Sequence, residues 1–429
     1  MGGFFEYYDL FFTAYIAPGL VRSGILTATT GGLFGTTGVA TFVAALFSGL
    51  FVGTAVFSFV ADRFGRRTIF TFSLLWYSAA TITMAFQQHA LGLNVWRFVA
   101  GIGVGVELVT IDTYLSELVP KGLRGRTFAY SQTMQFCAVP LVAFLAWRLV
   151  PISPLGFDGW RWVALIGAAG AVLVWWIRLR VPESPRWLAQ RGRVDEADRI
   201  LTALEERVVA ETGSELPQPE ALEPEPSRGR FGELWALPYR RRTVMLVLFN
   251  VFQTVGYYGF SNWVPTLLIA RGIGITNSLR YTFIIAIAAP IGPFIAAALA
   301  DKFERKWQIT ASAFAIALFG VLFGQVTTAA LLMGFGVLLT LSNNILSFTF
   351  HAYQAELYPT RIRALAVGFV YSWSRLSVVF SSFIISFVLE RLGVPGVFAF
   401  IAGSMLLVML IVALLGPRTN NLALEEISQ

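Results

Sequence analysis

Titratable chemistry is scarce in this chain. The only histidines, His89 and His351, are too few and too far apart for a metal site, and Cys137 is the sole cysteine. An intrachain disulfide and a cysteine metal cluster are therefore excluded. Charged residues make up only 13% of the 429 positions, about half the ~25% usual in soluble domains. The polar surface that a soluble protein of this length needs is missing, which leaves a polytopic membrane protein. Strand-like alternation is missing as well, so the apolar runs are helices and not the staves of a barrel. No basic segment or small-residue cleavage site marks a cleavable signal peptide, and the abrupt start at Met1 fits a trimmed cytoplasmic tail.

What the chain does hold is long apolar runs. A bilayer core of about 30 Å takes roughly 20 residues of helix, and runs of that length can be marked near 3–22, 36–61, 68–88, 95–118, 127–150 and 160–180. A second set falls near 242–270, 279–300, 307–327, 329–355, 364–390 and 394–416. The expected fold class is an all-α membrane protein of twelve spans. Basic residues exceed acidic ones, 32 against 25, but they do not form the continuous face that nucleic acid would need. They sit in "DRFGRR" (62–67), "KGLRGR" (121–126), "RLR" (178–180), "RRR" (240–242), "DKFERK" (301–306) and "RIR" (361–363), which is every second loop. This positive-inside pattern predicts both termini on the cytoplasmic side.

Two loop motifs repeat at one offset. "ADRFGRR" (61–67) returns as "ADKFERK" (300–306), and "SELVPKGLR" (116–124) as "AELYPTRIR" (355–363), each 239 residues on. A duplication follows: a six-helix bundle over 1–180, a connector over 181–240, a second bundle over 241–418 and a tail over 419–429. Within the connector, 193–211 carries an apolar stripe at helical spacing, and 215–230 is a Pro/Glu-rich flexible linker. Two repeats joined this way can rock against each other in alternating access.

These motifs resemble the major facilitator superfamily along essentially the whole chain. "ADRFGRR" is similar to the superfamily's signature between helices two and three, with Ser58 where glycine is usual, and its repeat departs further at Glu304. "PESPRWL" (182–188) and "ELVPKGLRGR" (117–126) resemble the branch of sugar porters and organic ion transporters. "FFEYYDLF" is similar to the first-helix motif of aromatic acid–proton symporters, whose two carboxylates match Glu6 and Asp9. "YSWSRL" (371–376) is similar to the eleventh-helix segment of organic anion carriers, whose arginine matches Arg375. The glutamine-rich seventh helix and terminal "PETKG" of sugar porters are absent, as is the fifth-helix motif of drug antiporters.

Ionisable groups inside a bilayer cost about 2.5–3.5 kcal/mol at a helix centre on insertion scales, and they persist where they face a cavity or each other. Glu6 and Asp9 share one helix face at i and i+3, close enough to disfavour each other's ionisation and so to load and release a proton. Glu6, near the helix end, equally suits the headgroup region. The resemblance pairs Asp9 with Arg97 of the fourth span, an arginine that could instead snorkel to the interface. Glu107, ten residues past Arg97, is expected to face the cavity and joins Glu6, Asp9 and Arg97 as a proton-coupling candidate.

Arg375 lies in mid-span with no acid near it on its own helix. It can bind a carboxylate bidentately or pair with a buried acid such as Glu107. Gln253, Tyr257, Tyr258, Asn262 and Trp263 suit the wall of a cavity for a flat ligand, with Gln132, Gln135, Asn343 and Asn344 as further hydrogen-bonding candidates. A gate at the cytoplasmic face is expected from Asp62, Arg66, Arg67, Glu117, Arg124 and Arg126, and from Asp301, Arg305, Glu356, Arg361 and Arg363 in the second half. Gly101, Gly103 and Gly105 lack the preceding strand of a dinucleotide loop and read as helix-packing residues.

No triad, phosphate loop or metal spacing is present, so neither an enzyme nor a cofactor is expected. The reading is a monomeric, proton-coupled importer of a small organic anion, an aromatic or heteroaromatic monocarboxylate, in a bacterial inner membrane. Its partners are substrate, protons and lipid. The alternatives are a sugar or polyol symporter and a nutrient sensor that has kept the fold.

Overall fold

The computed structural model describes residues 2–30, 34–119, 124–178, 182–213, 230–237, 239–300 and 302–419. At 56–63, 108–110, 112–113, 116–117, 124–126, 171–173, 177–178, 190, 212, 300, 360–361 and 364 it describes the backbone alone. The linker expected at 215–230 falls outside these residues except for Arg230, and the tail falls outside beyond Thr419.

The first half contains α1 (Gly2–Arg22), α2 (Val39–Phe64), α3 (Arg66–Ala85), α4 (Ala90–Leu118), α5 (Arg124–Phe136), α6 (Ala138–Leu149) and α7 (Gly159–Arg178). The connector holds α8 (Pro185–Gln190) and α9 (Val194–Thr212). The second half holds α10 (Tyr239–Ser261), α11 (Val264–Ala270), α12 (Ile275–Ala286), α13 (Ile291–Ala300), α14 (Arg305–Gln325), α15 (Ala329–Glu356) and α16 (Thr360–Leu415). Among the described residues, eight helical runs are long and apolar enough to cross a membrane, and one of them, Leu365–Leu415, has length for two crossings.

Three of the expected spans are each built from two helices, and one physical cause accounts for all three. A proline lacks an N–H, and its ring clashes with the carbonyl four residues earlier. The breaks fall there: α5 ends at Phe136 ahead of Pro140, α10 at Ser261 ahead of Pro265, and α12 at Ala286 ahead of Pro290. The last two spans run together in α16 and are separated only at Gly393, whose φ of 68° lies in the left-handed region. Glycine adopts this conformation without a Cβ penalty.

Glycines set the seam between α2 and α4. A Cβ on Gly101 would sit 2.4 Å from the Leu46 carbonyl oxygen, and one on Gly105 would sit 2.5 Å from that of Leu50. On the facing helix, Gly49 and Gly53 stand equally close to the backbones of Phe98 and Ile102. The backbones therefore touch, with no space for a side chain between them. Gly103, on another face of α4, packs against Trp76 and Tyr77 of α3.

Contacts between the halves include a set at the end opposite the basic loops. Trp147 of α6 stacks on Phe283 of α12 at 5.7 Å between ring centroids. Phe34 meets Phe383 edge-on, and the Thr30 backbone N–H donates to Ser386 Oγ at 3.1 Å. In the connector, Ala197 and Ile200 of α9 pack with Trp187 and Leu188. The remainder of the expected apolar stripe (Val194, Leu201, Leu204 and Val208) is exposed.

Candidate functional site

A cavity of about 870 Å³ lies between the halves. It runs from Arg375 toward the basic-loop end, where Glu6, Gln354 and Leu365 line it. Its walls come from α1, α2, α4 and α5 on one side and from α10, α15 and α16 on the other.

Arg375 enters from α16 and is buried. Its Nη1 donates to the Tyr258 hydroxyl at 3.0 Å and its Nη2 to the Tyr371 hydroxyl at 3.2 Å, while the guanidinium lies over the Tyr371 ring. Among the described residues it makes no ion pair, and its Nε has no hydrogen-bond acceptor. Glu107 is not its partner. A guanidinium held by two phenols and no acid keeps its charge available for an anion. Tyr258 also packs edge-on against Phe47 of α2 at 4.6 Å, so the arginine's support reaches the other half of the molecule.

Of the other expected wall residues, Gln132, Gln135, Gln253, Tyr257 and Tyr258 line this cavity. Asn343 and Asn344 do not. They line a smaller adjoining void behind Tyr257, whose hydroxyl donates to Asn344 Oδ1 at 3.4 Å. Asn262 and Trp263 are displaced for the reason already given: Pro265 ends α10 just before them, and both are buried in the turn into α11, away from the cavity.

The two first-helix carboxylates part company. Glu6 lines the cavity, whereas Asp9 points into the first half. Positions i and i+3 differ by about 60° around a helix, enough on a helix buried nearly all round to face two environments. Asp9 Oδ2 accepts from Arg97 Nη1 at 2.9 Å, and its Oδ1 accepts from Thr81 Oγ1 at 2.9 Å. Arg97 Nη2 donates to the Asp9 carbonyl oxygen at 2.6 Å and to Thr13 Oγ1 at 2.5 Å. The Phe12 ring lies 4.3 Å from the guanidinium carbon. Arg97 is fully enclosed and does not snorkel. Glu107 is also fully buried and does not line the cavity, contrary to expectation.

At the basic-loop end, Arg305 Nη2 pairs with Glu356 Oε1 at 3.0 Å. Arg363 Nε donates to the Tyr358 carbonyl oxygen at 3.2 Å, and burial pushes the Tyr358 hydroxyl up to about 12, which keeps it neutral. Arg66 and Arg67 open α3. The gate candidates Asp62, Glu117, Arg124, Arg126, Asp301 and Arg361 have side chains outside the described residues. A contributor absent from the sequence reading is Glu183 of "PESPRWL". Its carboxylate accepts from the Arg67 backbone N–H at 3.0 Å, where a helix N-terminus favours a negative charge. A Cβ at Gly65, whose φ is 99°, would lie 2.5 Å from that carboxylate.

Sequence reasoning also missed the α15 wall. Ser347, His351 and Gln354 recur at helical spacing and all line the cavity. The periodicity is readable in "SFTFHAYQ" (347–354), but none of the three carries a charge that marks it out within an apolar span. Thr13 and Thr81, which complete the Asp9–Arg97 cluster, carry no charge to draw attention.

A central cavity between two helical halves is the architecture of a membrane carrier. The sequence profile of the sugar (and other) transporter family matches residues 1–429, and the chain belongs to that family. It is 32% identical over 422 residues to the putative metabolite transport protein YyaJ of Bacillus subtilis (strain 168), covering 97% of this chain and 90% of that protein. It is 30% identical over 430 residues to the niacin transporter NiaP of Acinetobacter baylyi (strain ATCC 33305 / BD413 / ADP1), covering 100% of this chain and 94% of that protein. A partially occluded inward open structure of the xylose transporter XylE from E. coli superposes with a TM-score of 0.78 at 19% identity, covering 98% and 97% of the two chains. The fold is therefore the twelve-helix major facilitator fold. The protein is a multi-pass secondary transporter of small molecules and not an enzyme.

Proposed function

We propose that this transporter imports a small aromatic or heteroaromatic monocarboxylate together with a proton. The observation that carries this reading is Arg375: a cavity-lining guanidinium with two tyrosine hydroxyls as partners, no acidic partner among the described residues, and aromatic rings around it. A carboxylate can displace the phenols and take two parallel hydrogen bonds, and Tyr257, Tyr258 and Tyr371 provide faces for a flat ring. Niacin, named for one relative, is an acid of this kind. Drawing the guanidinium away from Tyr258 loosens its contact with Phe47, which ties substrate occupancy to the packing of the halves.

Asp9 carries the proton, and Glu6, one turn away on the cavity wall, relays it. Ionised Asp9 holds Arg97 and thereby α1 to α4; the protonated acid releases that hold. The gate residues at the basic-loop end close the cytoplasmic side, and the two six-helix units, 1–180 and 241–418, rock about the cavity as a monomer. In proteoliposomes, an inward pH gradient is expected to drive accumulation of nicotinate or benzoate, and excess xylose is expected not to compete. Competition by xylose without uptake of either acid would instead establish the sugar or polyol reading, which the four cavity glutamines and the likeness to XylE support.

The basic clusters support an orientation with both termini on the cytoplasmic side of the inner membrane. A single cysteine at Gly274, in a Cys137→Ser background, is then labelled by an impermeant maleimide on intact cells, and one at Gly213 only after permeabilisation. The reverse pattern would invert every side assignment.

A further inference from the structure

We propose that His351 is a specificity-determining residue whose Nε2 accepts a hydrogen bond from an N–H or O–H on the substrate ring, at the end away from the carboxylate. The inference rests on the anion reading above and deepens it.

The geometry begins with Nδ1, which lies 2.6 Å from the Ser347 carbonyl oxygen one turn back on α15. A carbonyl only accepts, so Nδ1 must carry the hydrogen. The tautomer of the neutral ring is thereby fixed, and Nε2, on the far side of the ring, is an acceptor. The ring is exposed within the cavity, and neighbours pack against it on two sides: Phe350 and Tyr371, with ring centroids at 5.7 Å and 5.3 Å. This packing holds the ring still and leaves Nε2 as the atom that a ligand can reach.

Tyr371 sets the distance. The Arg375 guanidinium carbon is 5.0 Å from the Tyr371 centroid on α16, and His351 meets the same ring from α15. The guanidinium carbon and the centre of the imidazole ring therefore lie at most about 10 Å apart. One six-membered ring bearing a carboxylate and a donor on a non-adjacent carbon fits that interval. A fused bicyclic acid or an acid on a long alkyl chain overshoots it. A ring without a donor leaves Nε2 facing the ligand with nothing to accept, and buried polar groups left in that condition are what make such sites selective.

Four ligands and two variants of the full-length protein in nanodiscs test the proposal by calorimetry: benzoate, 3-hydroxybenzoate, 4-hydroxybenzoate and 3-methoxybenzoate. At least one hydroxybenzoate is expected to bind about five-fold tighter than benzoate, and the methoxy compound, which has no donor, is expected to show no gain. His351→Phe keeps a ring against Phe350 and Tyr371. It should abolish the hydroxyl advantage, so that the hydroxybenzoates and benzoate bind the variant alike. The inference is overturned if neither hydroxybenzoate gains over benzoate, if the methoxy compound gains equally, or if His351→Phe weakens all ligands alike. Arg375→Ala keeps the two questions apart. Loss of benzoate binding there sustains the anion reading even if the His351 result fails, whereas no binding of any acid to the unmodified protein overturns both.

Discussion

Asp9→Asn is expected to abolish accumulation driven by a pH gradient while exchange of substrate across the membrane stays measurable. Asparagine matches the shape of the protonated acid, keeps one carbonyl oxygen to accept from either Thr81 or Arg97, and cannot ionise. One proton moved down one pH unit supplies about 1.4 kcal/mol, enough for about tenfold accumulation; in the variant the ratio should fall to about one. The substitution also leaves Arg97 enclosed without its counter-charge, a condition that costs about 3–5 kcal/mol when one partner of a buried pair is removed. Asp9→Asn with Arg97→Gln removes both charges and separates coupling from stability. It should regain thermal stability and still fail to accumulate. A single variant that concentrates substrate against a gradient would move the proton to another acid, with Glu107 next.

Arg375→Ala is expected to lower affinity for the carboxylate at least about tenfold, since hydrogen bonds to a charged group contribute about 1.5–3 kcal/mol. Arg375→Lys keeps the charge but loses the planar fork, and should fall between the two. The chemical control is the amide of the same substrate. It should bind poorly to the unmodified protein and lose little more in Arg375→Ala, because it has no charge for the guanidinium to meet. Calorimetry of acid and amide against the three proteins checks this. Equal weakening of both would make Arg375 a structural partner of its tyrosines and would favour the sugar or polyol reading.

The elements of the fold were legible because a bilayer leaves few options: apolar length gives the spans, and the common offset of 239 gives the duplication. Helix breaks were readable as well, in Pro140, Pro265 and Pro290, but apolar length ignores the missing N–H that decides them. That omission misplaced Asn262 and Trp263. Arg375 and Asp9 were visible because charge inside a span is costly. His351, Gln354, Thr13 and Thr81 were not, since a neutral polar residue on a helix costs little and its role depends on which way the face turns. The divergence of Glu6 and Asp9 belongs to the same class: spacing shows that they are neighbours, and only the packing of α1 shows which one meets the cavity.

The two ends of the molecule are held by different forces. The closure opposite the basic loops is made of Trp147 on Phe283, Phe34 on Phe383 and a contact from Thr30 to Ser386, with no charge in any of these contacts. The other end carries the charge clusters and the Arg305–Glu356 pair. Electrolyte therefore acts on one end and leaves the other almost untouched, because a Debye length of about 8 Å at physiological ionic strength weakens ion pairs but not ring contacts. Cooling does the reverse, since apolar association weakens as temperature falls. Salt and temperature thus act on different ends of the molecule.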